Sequence, residues 1–267
     1  MILDDIIAYK RTFVSDRKRV IPPAEMERRA ASSPPPPPFA AAITRKPGGR
    51  VAVIAEVKKA SPSKGVIRPD FDPLAIAREY CDHGAAAISV LTDEKFFQGH
   101  LDFLRTIRLA NSAMPLLRKD FVVDEYQIHE AREAGASAVL LITGVLDGAQ
   151  LKAYRELAAS LGLDALTEVH TEQEAETAAA SGARIIGVNN RDLRTFTVDL
   201  TQTECIMRLL GGPREGFTFV AESGIGTPEH VEYLRRLGVD AILVGETLMR
   251  DPSPGAALDR LTAPVAV

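Results

Sequence analysis

His83-Gly84-Ala85-Ala86-Ala87-Ile88-Ser89-Val90-Leu91 joins a glycine stop to a continuous apolar run, and three later stretches repeat the pattern. They are Ala134-Gly135-Ala136-Ser137-Ala138-Val139-Leu140-Leu141-Ile142, Ser181-Gly182-Ala183-Arg184-Ile185-Ile186-Gly187-Val188 and Leu237-Gly238-Val239-Asp240-Ala241-Ile242-Leu243-Val244. Glycine takes the left-handed conformation that ends a helix at little steric cost. An apolar run without alternation belongs to a strand buried on both faces, as in a parallel sheet wrapped by helices. Each stretch therefore reads as helix, stop, strand, and a recurring unit of this kind means βαβ architecture. The same reading extended outward gives strands near 51–57, 86–92, 115–119, 137–143, 164–169, 184–189, 217–222 and 240–245. Asp72-Pro73 and Thr227-Pro228 each set a capping side chain before a proline at the first helical position. Thr171-Glu172-Gln173-Glu174 has the form of a capping box, and Asp124 is placed to cap the helix running to Ala134. Eight such units predict an α/β fold closed into a (β/α)8 barrel, the TIM barrel. The open Rossmann alternative lacks a GxGxxG after its first strand.

Residues 1–49 stand outside this pattern and are expected to form an N-terminal helical extension packed on a barrel domain of residues 50–262. Leu3, Ile6, Ile7 and Phe13 suit a short amphipathic helix, Pro22-Pro23-Ala24-Glu25-Met26 opens a second, and Pro34 through Pro38 is a polyproline II spacer. The 267 residues fit one barrel, which takes about 250. A net charge of −4 without a basic, aromatic-bearing stripe argues against nucleic acid. Any bound anion must then be drawn by local groups instead of the overall field. No apolar run approaches the roughly 20 residues a membrane span needs. Met1-Ile2-Leu3-Asp4-Asp5 carries acids where a signal peptide requires a basic start. Cys81 and Cys205 are the only cysteines, so a reduced, cytoplasmic setting is expected, with both thiols acting as small core hydrophobes.

Several apolar runs end in groups that hydrocarbon does not accept unpaired. Glu56 and Lys58 follow the first, Arg118-Lys119-Asp120 the third, Glu168 the fifth, Asn189-Asn190-Arg191 the sixth and Glu222-Ser223-Gly224 the seventh. A closed parallel barrel brings all these carboxyl ends to one rim, where active sites of this fold are built. Glu56 and Lys58, two apart, share a face; the same parity joins Lys119 to Leu117 and Glu168 to Leu166. Two lysines and two or three carboxylates thus converge between aliphatic walls. Burial there shifts proton affinities by several units, and for Lys119 it acts to lower the pKa toward that of a usable acid. Ser223-Gly224-Ile225-Gly226 and Gly245-Glu246 follow the last two strands, the usual phosphate seat of this fold. Ser61-Pro62-Ser63-Lys64-Gly65 after the first strand adds hydroxyls and a cation able to close over the same ligand. His83, His100, His129, His170 and His230 have no ligand spacing, so no metal is expected. Each reads as structural or exposed, with His170 nearest the rim.

Ala55-Glu56-Val57-Lys58-Lys59-Ala60-Ser61-Pro62-Ser63-Lys64-Gly65 resembles the first-strand signature of the indole-3-glycerol phosphate synthase family. Leu91 through Gly99, Leu117-Arg118-Lys119-Asp120-Phe121, Thr167-Glu168-Val169-His170, Gly187 through Leu193 and Ala221-Glu222-Ser223-Gly224-Ile225 match that family in order, so the resemblance covers residues 50–250. It implies a carboxy-lyase of tryptophan biosynthesis that needs no cofactor. Such an enzyme closes the pyrrole ring of 1-(2-carboxyphenylamino)-1-deoxyribulose 5-phosphate with loss of CO2 and water. By the same resemblance Lys119 is the general acid at the ketone, and Lys58 pairs with the anthranilate carboxylate. Glu168 assists proton transfer in dehydration, with Lys58 the other candidate for that step, and Glu56 binds near the reacting hydroxyls and positions the lysines. Asn189, Glu222 and Ser223 orient the substrate, Arg191 contacts its ribulose-derived chain or carboxylate edge, and Phe97 and Phe121 wall the anthranilate ring. The phosphate rests on Ser61 and on amides around Gly224, Gly245 and Glu246, which requires the Glu246 carboxylate to turn away. The expected partner is a phosphorylated small molecule, and the chain a monomer or weak homo-oligomer. Competing readings are another phosphate-binding barrel enzyme of the phosphoribosylanthranilate isomerase or tryptophan synthase alpha kind, a Schiff-base aldolase, and a non-catalytic phosphate-binding barrel.

Overall fold

The computed structural model describes residues 2–265 apart from 47, 193, 194, 196 and 213–215. Leu193, the end of the Asn189-Asn190-Arg191-Asp192 motif, lies outside the described residues. Eight parallel strands form the barrel: β1 (Ala52–Val57), β2 (Ala87–Leu91), β3 (Leu116–Lys119), β4 (Ala138–Ile142), β5 (Asp164–Val169), β6 (Ile185–Asn189), β7 (Thr218–Glu222) and β8 (Ala241–Val244). Closure is made by β1, where Ala55 sits opposite Val244 of β8 on one side and Ile88 of β2 on the other. The strands begin and end within one residue of the positions read from the sequence. A short antiparallel hairpin, Ala60–Ser61 with Gly65–Val66, was not legible; it turns on Gly65 at φ 64°.

Alternation divides the core. Ile54, Leu117, Leu140, Leu166, Ile185, Val220 and Leu243 pack inside the barrel. Their neighbours Ala55, Val57, Leu116, Val139, Ile186, Phe219 and Ile242 face outward and pack under the helices. Helix starts follow the expected chemistry with two corrections. The Asp72 carboxylate accepts from Leu74 N and Ala75 N, and the Thr227 hydroxyl from His230 N. Thr171 accepts from Glu174 N, but the Glu174 carboxylate binds the His170 N–H instead of returning to Thr171, so the box is half made. Asp124 accepts from Tyr126 N without occupying the cap position, which Glu125 holds.

The extension contains three helices, α1 (Ile2–Val20), α2 (Pro23–Ser32) and α3 (Phe39–Ile43), where two were expected. α3 plugs the amino-terminal end of the barrel: Phe39 and Ile43 are fully buried in its interior cluster. Ala40 N donates to Asp164 Oδ2 at 2.8 Å, and the Thr44 and Thr218 hydroxyls meet at 2.9 Å. α1 is longer than its apolar residues suggested, and its buried stripe is Ile6, Lys10 and Val14, with Leu3, Ile7 and Phe13 half-buried. Cys81 is half-buried and Cys205 exposed, so neither is the core hydrophobe expected. No helix among the described residues is long and apolar enough to cross a membrane.

Candidate active site

Strand alternation assembles the site. Ile54, Leu117, Leu166, Val220 and Leu243 point into the barrel, so Glu56, Lys119, Glu168, Glu222 and Gly245, two residues on, emerge on that side at the carboxyl ends. They open into a cavity of about 400 Å³. Every residue given a role by the family resemblance lines it: Glu56, Lys58 and Ser61 from β1 and its loop, Phe97, Lys119 and Phe121 from β2 and β3 and their loops, Glu168 from β5, Asn189 and Arg191 from β6, and Glu222, Ser223, Gly224, Gly245 and Glu246 from β7 and β8. Lys64, Gly226 and His170 are not part of the lining.

The charges are paired before any ligand arrives. Lys58 Nζ lies 2.6 Å from Glu56 Oε1, and Lys119 Nζ lies 3.0 Å from Glu168 Oε2 and 3.4 Å from Glu222 Oε2. Asn189 Nδ2 donates to the other Glu168 oxygen at 3.3 Å. Burial alone would pull the Lys119 pKa down, as expected from sequence, but Glu168, Glu222 and Glu56 outweigh it and raise the pKa above the ordinary lysine value. Lys119 is therefore a fully loaded proton donor at neutral pH. The two acids beside it are pushed apart. Glu168 is buried, yet Lys119, His170 and the Asn189 amide hold it down to about 2. Glu222 is raised to about 8, by burial first and then by Glu168 and Glu56, against the pull of Lys119. Two neighbouring acids are thus driven in opposite directions, Glu168 toward the ionised form and Glu222 toward the protonated one.

Glycine leaves the space these acids occupy. A Cβ on Gly187 would overlap Glu222 Oε1, and one on Gly245 would overlap Glu56 Oε1. On the wall, the Phe97 and Phe121 rings stand 6.0 Å apart at 39°. The Asp93 side chain caps the short helix Glu94–Phe97, and Asp120 Oδ1 accepts from Phe121 N at 2.8 Å. At the opposite side Ser223 and Gly224 both take left-handed backbone, φ 67° and 76°, a turn conformation suited to presenting amides to an anion. Glu246 gives one carboxylate oxygen to Arg250 at 2.9 and 3.0 Å, while its other oxygen lies 3.7 Å from Arg191 Nη2.

Sequence reasoning missed part of the wall. Ile2, Leu3 and Ile6 of α1 also line the cavity. Lys10, 1% exposed, reaches Asp93 Oδ2 at 2.8 Å and Asp120 Oδ1 at 2.7 Å. The signal was its spacing: Lys10 falls four residues from Ile6 and four from Val14, on one helix face. Arg118 faces away from the mouth, where it bonds Asp120 and Glu130 at 3.2 and 2.8 Å.

Comparison with known proteins identifies the family. The family model for indole-3-glycerol phosphate synthase matches residues 3–261. The chain is 47% identical over 263 residues to the indole-3-glycerol phosphate synthase of Laribacter hongkongensis, covering 98% of this chain and 99% of that one. It is 51% identical over 256 residues to the enzyme of Roseiflexus castenholzii, covering 94% of each. Among solved structures, a 3-hexulose-6-phosphate synthase superposes with a TM-score of 0.62 at 14% identity, covering 81% of this chain and 100% of that one. A mutant tryptophan synthase alpha-subunit from Pyrococcus furiosus gives 0.60 at 14% identity, covering 79% and 97%. At that identity the two structures speak for the barrel alone. With the family match spanning nearly its whole length, the chain belongs to the indole-3-glycerol phosphate synthase family.

Proposed function

We propose that the mouth carries out ring closure, decarboxylation and dehydration of 1-(2-carboxyphenylamino)-1-deoxyribulose 5-phosphate with the residues that line it in distinct roles. The observation that carries this reading is Lys119, whose buried amine lies between the Glu168 and Glu222 carboxyl groups at 3.0 and 3.4 Å. Ring closure forms a bond between the carboxylate-bearing ring carbon and the ketone carbon, and negative charge grows on the ketone oxygen. Lys119 supplies the proton there; its raised pKa does not prevent this, because an alkoxide is a far stronger base than a ketone. Lys58, held by Glu56, pairs with the departing carboxylate until the carbon–carbon bond breaks and its electrons return to the ring. The new hydroxyl then leaves as water. Glu168 takes a proton from the methylene carbon beside the nitrogen, the electrons of that C–H bond form the ring double bond as the carbon–oxygen bond breaks, and the proton is passed to the departing hydroxyl. Phe97 and Phe121 wall the aromatic ring, while Asn189, Arg191, Glu222 and Ser223 orient the rest of the substrate.

The phosphate is assigned to Ser61 and the amides around Gly224, Gly245 and Glu246, the Glu246 carboxylate being engaged by Arg250. The chain is assigned as a monomer or weak homo-oligomer acting in the cytoplasm on a phosphorylated small molecule. The test is growth of indole fluorescence with the carboxyphenylamino substrate. The chain contains no tryptophan, so the protein adds no indole emission. Activity is expected without added metal, and Lys119→Ala should lose at least about 10²–10⁴-fold in kcat with its circular dichroism unchanged. Tight product binding without turnover by the unmodified chain would instead favour the non-catalytic barrel.

A further inference from the structure

His170 is the first residue after β5 and lies two beyond Glu168, so strand parity carries both side chains to the mouth side. Its ring is only 12% exposed and stands between two carboxylates. Nδ1 lies 3.3 Å from Glu174 Oε2, and Nε2 lies 3.3 Å from Glu168 Oε1. The backbone is fixed from both sides: His170 N donates to Glu174 Oε2 at 2.7 Å, and Gln202 Nε2 donates to the His170 carbonyl at 3.1 Å. Nε2 is buried and makes no hydrogen bond among the described residues: Glu168 Oε1 lies close to it as a charge partner, out of line for a hydrogen bond.

A neutral imidazole has one N–H and one lone pair, so between two carboxylates it satisfies one and repels the other; only the imidazolium presents an N–H to each. We propose that His170 is a positioning residue for Glu168, its charged ring holding that carboxylate ionised and turned toward Lys119 and Asn189. Glu174 and Glu168 support the charged form, Glu222 adds to them as it ionises, and the one cation nearby, Lys119, is engaged by the carboxylates. Glu174 approaches from the helix Glu172–Ala180, Glu168 from its own strand and Glu222 from β7, while Lys119 of β3 engages the far oxygen of Glu168. Burial disfavours the charge on His170, but these acids overcome it and its pKa is raised. In return His170 is among the groups that hold Glu168 low. The link is therefore mutual, as any coupling between two sites must be.

The inference rests on Glu168 as the proton carrier of the reaction, and the experiment separates the two ideas. The first arm is an NMR titration of the protein labelled with 15N in the histidine rings, with His170 assigned from His170→Gln. The His170 midpoint is expected above the ordinary histidine range and should fall in Glu168→Gln, a result that needs no catalysis. The second arm is kcat against pH. His170→Gln should lower kcat about tenfold or more at neutral pH, the scale of coupling between two residues of one buried charge network, with KM within about threefold. It should also lose the descending limb whose midpoint matches the NMR titration. His170→Lys, which stays charged, should keep the rate nearer wild type and extend the plateau to higher pH. If His170→Gln does not fold, Glu174→Gln serves: it weakens the second partner, so the NMR midpoint and the descending limb should move down together. A full-rate His170→Gln with an unmoved limb overturns the proposal, as does a His170 midpoint indifferent to Glu168→Gln. An active Glu168→Gln would instead overturn the role of Glu168 while leaving the NMR arm to judge the contact itself.

Discussion

Glu222 shows what position alone does not reveal. Its place at the end of β7 and its face follow from the alternation Val220, Glu222, both readable without coordinates. That it holds its proton to about 8 depends on burial and on Glu168 and Glu56, which arrive from strands far away in the chain. The same distance explains Lys119. Hydrocarbon walls argue for a lowered pKa, and only the assembled rim shows three carboxylates reversing the sign. The raised Glu222 has a consequence for stability. Between the ordinary glutamate range and about 8 the folded chain keeps a proton that the unfolded chain has released. The unfolded state then binds fewer protons, and stability falls as pH rises through that window. Glu168 is lowered, so its contribution is already complete above the ordinary carboxylate range, and Lys119 is raised, so its contribution holds until strongly alkaline pH. Glu222→Gln, which keeps the shape of the neutral acid, should match the wild-type melting temperature at pH 5. At pH 8 it should exceed it by several degrees, each kcal/mol being about 2–4 °C for a chain approaching this size. Melting curves at the two pH values check this; a gap that is constant, or that reverses, would show that Glu222 ionises normally.

At the scale of elements, the helix α1 is a working part of the rim as well as a cover. Lys10 joins it to Asp93, which caps the turn bearing Phe97, and to Asp120, which follows Lys119 and precedes Phe121. Further along, Arg17 pairs with Glu130 at 2.9 Å and Lys18 with Asp124 at 2.7 Å. Lys10→Met keeps much of the length but leaves the buried Asp93 without its cation and Asp120 with Arg118 alone. Removing one partner of a buried pair costs about 3–5 kcal/mol, and denaturant unfolding should show a loss of that order. Activity should fall more than the folded fraction does, because both phenylalanine walls lose their anchor; loss of stability with full kcat in the folded protein would limit Lys10 to a structural role. Despite burial, Asp120 is held low by Lys10 and Arg118, and Glu130 by Arg118 and Arg17. Their stabilisation is therefore present above the ordinary carboxylate range and fades as pH drops through the lowered values. The strands were legible because each is local, an apolar run that in four cases follows a glycine stop. α1 was legible only in part: a lysine inside a helix reads as a solvent-facing residue until its partners on other elements are known. The five-residue α3 was lost for the related reason that its only strong signals, Phe39 and Ile43, gain meaning from the barrel floor they fill.

For the molecule as a whole, the barrel gathers its functional groups at one end while the net charge of −4 is spread over the chain. The cations at the mouth already have acids beside them: Lys58 with Glu56, Lys119 with Glu168, and both Arg191 and Arg250 with Glu246. The rim thus presents little uncompensated positive charge at a distance, although the substrate carries a phosphate and a carboxylate. Recognition should begin at contact range, where the substrate replaces carboxylates as partner of the cations and meets the amides around Gly224 and Gly245. Steered association falls steeply with ionic strength, whereas contact-range recognition does not. Raising potassium chloride from about 0.01 to 0.1 M shortens the screening length from about 30 to about 10 Å. Over that range kcat/KM should stay within about twofold, or rise slightly as repulsion from the net negative chain is screened. A tenfold fall would mean that a positive field extends well beyond the mouth. The pairing of each cation with its neighbouring acid would then have to loosen before the substrate arrives.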